Sequence, residues 1–214
     1  ALFDRLRAED PVHFHETGLF GPYWSITKFN DIMAVDKDHK RFSSDAGITL
    51  TERQADFSTP NFISMDPPKH DVQRKAVTGV VAPMNLSKLE PIIRQRAVTI
   101  LESLPHGTQF NWVDAVSIEL TTQMLATLFD FPFEDRRKLT YWSDMATAAP
   151  EVSGGDADPE ERQAALMDCL ATFTRLWHER KGTERSSLDL ISLLQKDPNT
   201  EDIVDKPMEY LGNL

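Results

Sequence analysis

The sequence has little cysteine, little glycine and little positive charge, and it has no long apolar run. One cysteine, Cys169, stands among 214 residues, which excludes an intrachain disulfide and a cysteine-rich zinc site. It suits a reducing compartment, so a cytoplasmic location is expected. Nine glycines form no phosphate-cradling loop, and there is no zinc spacing or nucleophile elbow. No apolar run approaches the ~20 residues of a membrane-spanning helix. Lys and Arg total 23 against 34 Asp and Glu, a net charge of −11. That balance opposes binding to the phosphate backbone of nucleic acid.

What is present reads as globular: 40% hydrophobic, 27% charged and 9% aromatic residues, ample to build a core without staples. Near the start, Val12 to Glu16 and Pro22 to Thr27 are short strand-like runs flanking Gly18 and Gly21, which predicts a hairpin. Phe29, Ile32, Met33 and Asp36 take helical spacing, with Asn30 or Asp31 as the cap. Residues 43–64 hold no period and read as a long loop. Beyond them the chain is helical almost throughout. Helices are predicted from Pro67 (after an Asp66 cap) to Val80, Ser87 to Leu104, Trp112 to Phe129, Glu134 to Ala148, Pro159 to Lys181, and Leu188 to Lys196 behind Ser186 and Ser187. The third of these is apolar on most sides and is expected deep in the core. The fold class is mainly α with a small β-sheet near the N-terminus. A single partial domain is expected over residues 1–214, with 1–43 as the small sheet and first helices, 44–64 as a loop that covers a ligand and 65–214 as the helical part.

The richest stretch is Met65-Asp-Pro-Pro-Lys-His70-Asp-Val-Gln-Arg74-Lys75. Four residues apart on a helix, His70 and Arg74 share a face and can grip an anion, the arginine through its planar fork. On spacing alone, an exposed, solvated basic face is the commoner arrangement.

This Met-Asp-Pro-Pro-x-His-x-x-x-Arg segment, after a long loop and a short sheet, resembles the third-helix start of bacterial cytochrome P-450 monooxygenases. Arg5-Leu-Arg-Ala-Glu-Asp-Pro-Val12 resembles the family's approach to its first sheet, and Phe131-Pro-Phe-Glu-Asp135 its approach to the sixth helix. The acidic loop 150–158 falls where the family's flexible substrate lid lies. Within the family, residues 65–75 and Phe131 to Asp144 look like the alkane and fatty-acid terminal hydroxylases.

The resemblance implies the N-terminal portion of the cytochrome P-450 fold, with heme b, dioxygen, a small apolar substrate, and a ferredoxin with its reductase. It implies that His70 and Arg74 hold the heme propionates. Ile48, Leu50, Phe62, Ile63 and Met145 are expected to line the substrate pocket, and Lys69 and Lys75 to face the redox partner. The axial cysteine, the acid-Thr segment and the Glu-x-x-Arg motif are expected beyond Leu214, since Tyr210-Leu-Gly-Asn-Leu214 looks like the start of the long central helix. No catalytic residue and no iron ligand is therefore expected within these 214 residues, and the chain alone is not expected to be active.

Cys169 lies inside an amphipathic helix pattern and reads as a small apolar residue rather than a ligand. His13 and His15 share a strand face and read as exposed histidines, lacking a third metal ligand. Arg136-Arg137-Lys138 and Glu160-Glu161-Arg162 read as solvated helix faces, and Met124, Met145 and Met167 as core filler. The alternative function is a non-catalytic helical interaction module with a basic anion-binding helix.

Overall fold

The computed structural model describes residues 2–18, 21–47, 61–79, 82–147, 158–182 and 189–198. Helix α1 spans Leu2–Glu9, strands β1 and β2 span Val12–His15 and Tyr23–Ile26, and α2 spans Phe29–Lys37. A 3-10 turn at Phe62–Ser64 precedes α3, Lys69–Thr78, and α4 follows at Pro83–Glu102. A π-helical stretch, Val113–Ile118, runs into α5, Glu119–Phe129. Then come a second 3-10 turn at Phe133–Asp135, α6 at Arg137–Thr147, α7 at Pro159–Arg180 and α8 at Leu190–Lys196. The chain forms two compact units, Ala1–Asp71 and Val72–Leu214, divided within α3.

In the first unit the hairpin forms where the alternation predicts it. The strands are antiparallel, with Phe14 opposite Trp24 and Val12 opposite Ile26. Thr27 closes the base by donating its amide and hydroxyl hydrogens to the Pro11 carbonyl, both at 3.0 Å. Gly21 sits in the connection at φ 79°, a left-handed value that favours glycine. Helix α1 carries no buried residue and lies outside the elements that the sequence predicts. Helix α2 starts earlier than its expected caps. Lys28 is the N-cap, without a side-chain bond, so Asn30 and Asp31 lie inside the first turn.

The second unit holds the core. Phe129, Phe131, Trp142 and Phe173 pack edge-to-face or tilted, with ring centroids 5.4 to 6.2 Å apart, a geometry that adds to area burial. Trp177, Ile191 and Leu194 are the most deeply buried apolar side chains, so α7 and α8 pack onto this cluster. The C-cap of α5 is Asp130 at φ 47°, a left-handed conformation that aspartate tolerates better than most side chains. Buried Arg180 donates to the Asp130 carbonyl at 2.6 Å and lies 3.7 Å from the carboxylates of both Asp130 and Asp189. One guanidinium thus joins the end of α5 to the start of α8.

Several boundaries differ from expectation for physical reasons. Helix α4 begins at Pro83, where the fixed proline φ suits the first helical position. Of its expected apolar stripe, Ile100 is buried while Ile92, Ile93 and Leu101 stay exposed. The third predicted helix is two segments, and burial is confined to Thr122, Ala126 and Phe129 of α5; Trp112 and Val113 are more than half exposed. The N-cap of α8 is Asp189, whose carboxylate accepts from the Ile191 and Ser192 amides at 3.1 and 3.2 Å; Ser186 and Ser187 lie outside the described residues.

Of the expected solvated face, Arg137 and Lys138 are exposed but Arg136 is half-buried, and both arginines are paired. Arg136 donates twice to Glu119, at 2.9 and 2.6 Å, while Arg137 reaches Asp114 at 2.7 Å and Glu119 at 3.0 Å. Phe133 stacks under the Arg136 guanidinium, which lies 4.4 Å from the ring centroid. Met167 is exposed rather than core filler.

Candidate functional site

The site is built on the segment leading into α3. Asn61 caps the 3-10 turn, its side-chain oxygen accepting from the Ser64 amide at 3.0 Å and hydroxyl at 3.1 Å. Met65 is buried. The Asp66 carboxylate does not cap α3 as the pattern predicts. It accepts instead from the Ser43 hydroxyl at 2.5 Å and the Ser44 amide at 3.0 Å, which pins residues 43–44 to the base of α3. The Ser43 hydroxyl above all, then the Ser44 amide, hold the Asp66 carboxyl below its ordinary range. Helix α3 is entered through the Asp66 backbone, whose carbonyl accepts from the His70 amide at 3.0 Å.

The His70 ring is half-buried. Its Nδ1 lies 2.8 Å from the Phe62 carbonyl oxygen, and the two rings meet edge-on at 5.9 Å. A carbonyl only accepts, so Nδ1 carries the proton and Nε2 is left for another partner. On α3, Gln73 and Ala76 are buried, and Arg74 is exposed; among the described residues its guanidinium has no partner. Four residues of helix place Arg74 about 40° from His70 around the axis. Both positions lie to one side of the buried Gln73 and Ala76 around the helix.

An imidazole oriented by the Phe62 carbonyl and an arginine able to present a bidentate fork suit carboxylates. They therefore fit the propionate edge of a heme, whose anionic groups need such partners when desolvated. Lys69 and Lys75 are both exposed, but six residues set them about 120° apart around the helix. Of the expected pocket residues, Phe62 is half-buried and Ile63 exposed in the first unit. Met145 is half-buried in the second, packed against the core cluster. Ile48 and Leu50 lie outside the described residues.

Cys169 lies within α7 among apolar neighbours. It packs against the core, and burial first, then the Asp168 carboxylate, pushes its thiol up to about 11, the reverse of what a thiolate ligand needs. His13 and His15 are engaged locally, with Asp10 at 2.6 Å and the Ser25 hydroxyl at 2.9 Å. Among the described residues there is no group of three metal-ligating side chains. No described helix is long and apolar enough to cross a membrane.

The same fold recurs in solved cytochromes P-450. CYP153D17 from a Sphingomonas species superposes with a TM-score of 0.83 at 40% identity, covering 99% of this chain and 53% of that one. A cytochrome P-450 from Novosphingobium aromaticivorans gives 0.82 at 36% identity, with 99% and 53% covered. Among curated proteins, the steroid C26-monooxygenase of Mycolicibacterium smegmatis is 29% identical over 217 residues, covering 95% of this chain and 47% of its own length. No family model matches the chain. The chain spans about half the length of these relatives. It belongs to the cytochrome P-450 family, a family of heme-carrying monooxygenases, and corresponds to the N-terminal portion of that fold.

The contacts that sequence alone does not reveal are those whose partners are distant in the chain: Asp66 with Ser43, and Arg162 with the end of α6. The acidic Asp66 before two prolines is a visible signal, but it points to the wrong donor.

Proposed function

We propose that the protein to which these residues belong is a heme-thiolate monooxygenase. In this reading it hydroxylates a medium-chain alkane or fatty acid at or near the terminal carbon, using dioxygen and electrons from a ferredoxin and its reductase. The observation that carries the reading is the paired His70 and Arg74 on a helix of cytochrome P-450 fold, with His70 oriented by the Phe62 carbonyl. Heme, when bound, supplies insertion of one oxygen atom into a C–H bond while the other leaves as water.

The roles of this chain's own residues follow. His70 and Arg74 bind the propionates and orient the cofactor. Ile48, Leu50, Phe62, Ile63 and Met145 form apolar walls that exclude water and select substrate by shape, because an alkane chain offers few polar handles. Lys69 and Lys75 contribute positive charge that steers an acidic ferredoxin toward a chain of net charge −11. The likeness of residues 65–75 and 131–144 to terminal hydroxylases supports the substrate class, and the single cysteine supports a cytoplasmic location.

The test is spectroscopic. The full-length protein, reduced and exposed to carbon monoxide, is expected to show the thiolate-ligated Soret band. Its absence would favour the non-catalytic helical module with an anion-binding helix. Product analysis with n-octane, lauric acid and a steroid then reads the substrate class. Charge reversal at Lys69 and Lys75 is expected to slow ferredoxin-driven turnover while sparing peroxide-driven turnover. Equal loss in both would remove the docking role.

A further inference from the structure

The C-terminal end of α6 is capped by side chains from two directions. Thr147, its last residue, donates its hydroxyl to the carbonyls of Ser143 at 3.0 Å and Asp144 at 3.2 Å. Arg162, in the first turn of α7, donates from Nε to the Met145 carbonyl at 2.9 Å and from Nη2 to the Ala146 carbonyl at 3.4 Å. Three of the last four carbonyls of α6, which a helix end leaves without intrahelical partners, are thereby covered. The guanidinium also places a positive charge at the negative end of the helix dipole.

Arg162 is itself held. Its helix opens with Asp158 as N-cap, the Asp158 carboxylate accepting from the Glu160 amide at 3.0 Å and the Asp158 carbonyl accepting from the Arg162 amide at 2.8 Å. One residue earlier, Glu161 receives the Tyr141 hydroxyl at 3.2 Å, so α6 and α7 are joined at two levels. On α6, Met145 continues the stripe begun by buried Leu139 and Trp142 and packs against the same core.

We propose that Arg162 is a positioning residue for Met145: by donating to the Met145 and Ala146 carbonyls it fixes the last turn of α6, and with it the direction of the Met145 side chain. This rests on the reading of Met145 as a substrate-lining residue, and it assigns to Arg162 an influence on which chain length the enzyme accepts. Arg162 does not touch substrate. It acts through the backbone it holds, and a lysine, with one charged donor group, replaces that hold only in part.

Two measurements decide the proposal. The first is amide hydrogen exchange at Met145, Ala146 and Thr147 in the full-length protein. Arg162→Met keeps the apolar stem and removes the donors; it is expected to speed exchange there about fivefold, with Arg162→Lys intermediate. Unchanged protection in Arg162→Met overturns the hold on α6. The second uses the full-length, heme-loaded protein with n-hexane, n-octane and n-decane. Arg162→Met is expected to change the ratio of kcat/KM between these chain lengths by about threefold at unaltered heme content. A uniform fall for all three, tracking a lower Tm, overturns the positioning role. If the full-length protein holds no heme, the monooxygenase reading fails, and with it the substrate half of this proposal; the exchange measurement still decides the hold on α6 by itself.

Discussion

The Phe62 carbonyl oxygen lies 2.8 Å from His70 Nδ1, so a 3-10 turn eight residues upstream decides which imidazole nitrogen faces outward. Asparagine places its amide nitrogen close to where Nδ1 sits but has nothing to replace Nε2. His70→Asn is therefore expected to preserve the Phe62 contact and still weaken heme retention. Arg74→Ala should do the same by removing the bidentate fork. Each loss is expected to accelerate heme transfer to apomyoglobin about tenfold, the size of one charge-assisted hydrogen bond. Transfer at the wild-type rate in both variants would remove the propionate role.

Glu119 is the hub of the contact between α5 and α6. Burial raises its carboxyl, but the hydrogen bonds from Gln123, Arg136 and Arg137 outweigh burial and hold it below its ordinary value. A carboxyl lowered in the folded state stabilises the fold above its unfolded pKa, and that stability is lost as pH falls through the lower folded value. Glu119→Gln should cost about 2 kcal/mol at pH 7 and flatten the fall of Tm in acid. A variant with the same acid slope as wild type would show that Glu119 does not couple to folding.

Cys169, pushed up to about 11, should be nearly inert as a nucleophile. At pH 8 only about a thousandth is thiolate, and the side chain is half-buried besides. Labelling by Ellman's reagent is expected to be slow in the folded chain and complete in denaturant. In the full-length protein, Cys169→Ala should leave the carbon monoxide difference spectrum unchanged; loss of the thiolate band would make Cys169 the ligand after all.

Asp189 has two jobs that substitution can separate. Its carboxylate caps α8 and also faces buried Arg180 at 3.7 Å. Asp189→Asn retains an acceptor for the cap and loses only the charge, whereas Asp189→Ala loses both. The alanine variant should be less stable than the asparagine variant by about 1 kcal/mol, the value of an N-cap. Urea melts of equal midpoint would place all of the effect in the charge. For scale, Trp177→Ala, which empties a fully buried site, is expected to cost about 3–5 kcal/mol.

The sequence by itself determined what local signals can carry. Alternation and glycines place the hairpin, and apolar periods and prolines place the helices from α2 onward to within a few residues, while α1 leaves no such signal. The four-residue spacing of His70 and Arg74 is enough to put both on one face of α3. The family is legible for a similar reason, being written in short local motifs whose order and spacing along the chain can be read together.

Only the tertiary structure decided where polar side chains spend their hydrogen bonds. Asp66 has the sequence position of a cap for its own helix and instead holds Ser43, 23 residues away. Arg136 reads as solvated and instead closes on Glu119, 17 residues back. Arg162 reads as surface charge and instead ends α6, and Arg180 reaches the end of α5 at Asp130, 50 residues back in the chain. A charged residue in a sequence window carries no mark of its partner, because the pairing depends on which helix termini packing brings within about 3 Å. Apolar period is a property of one helix, whereas a capped carbonyl belongs to the contact between two.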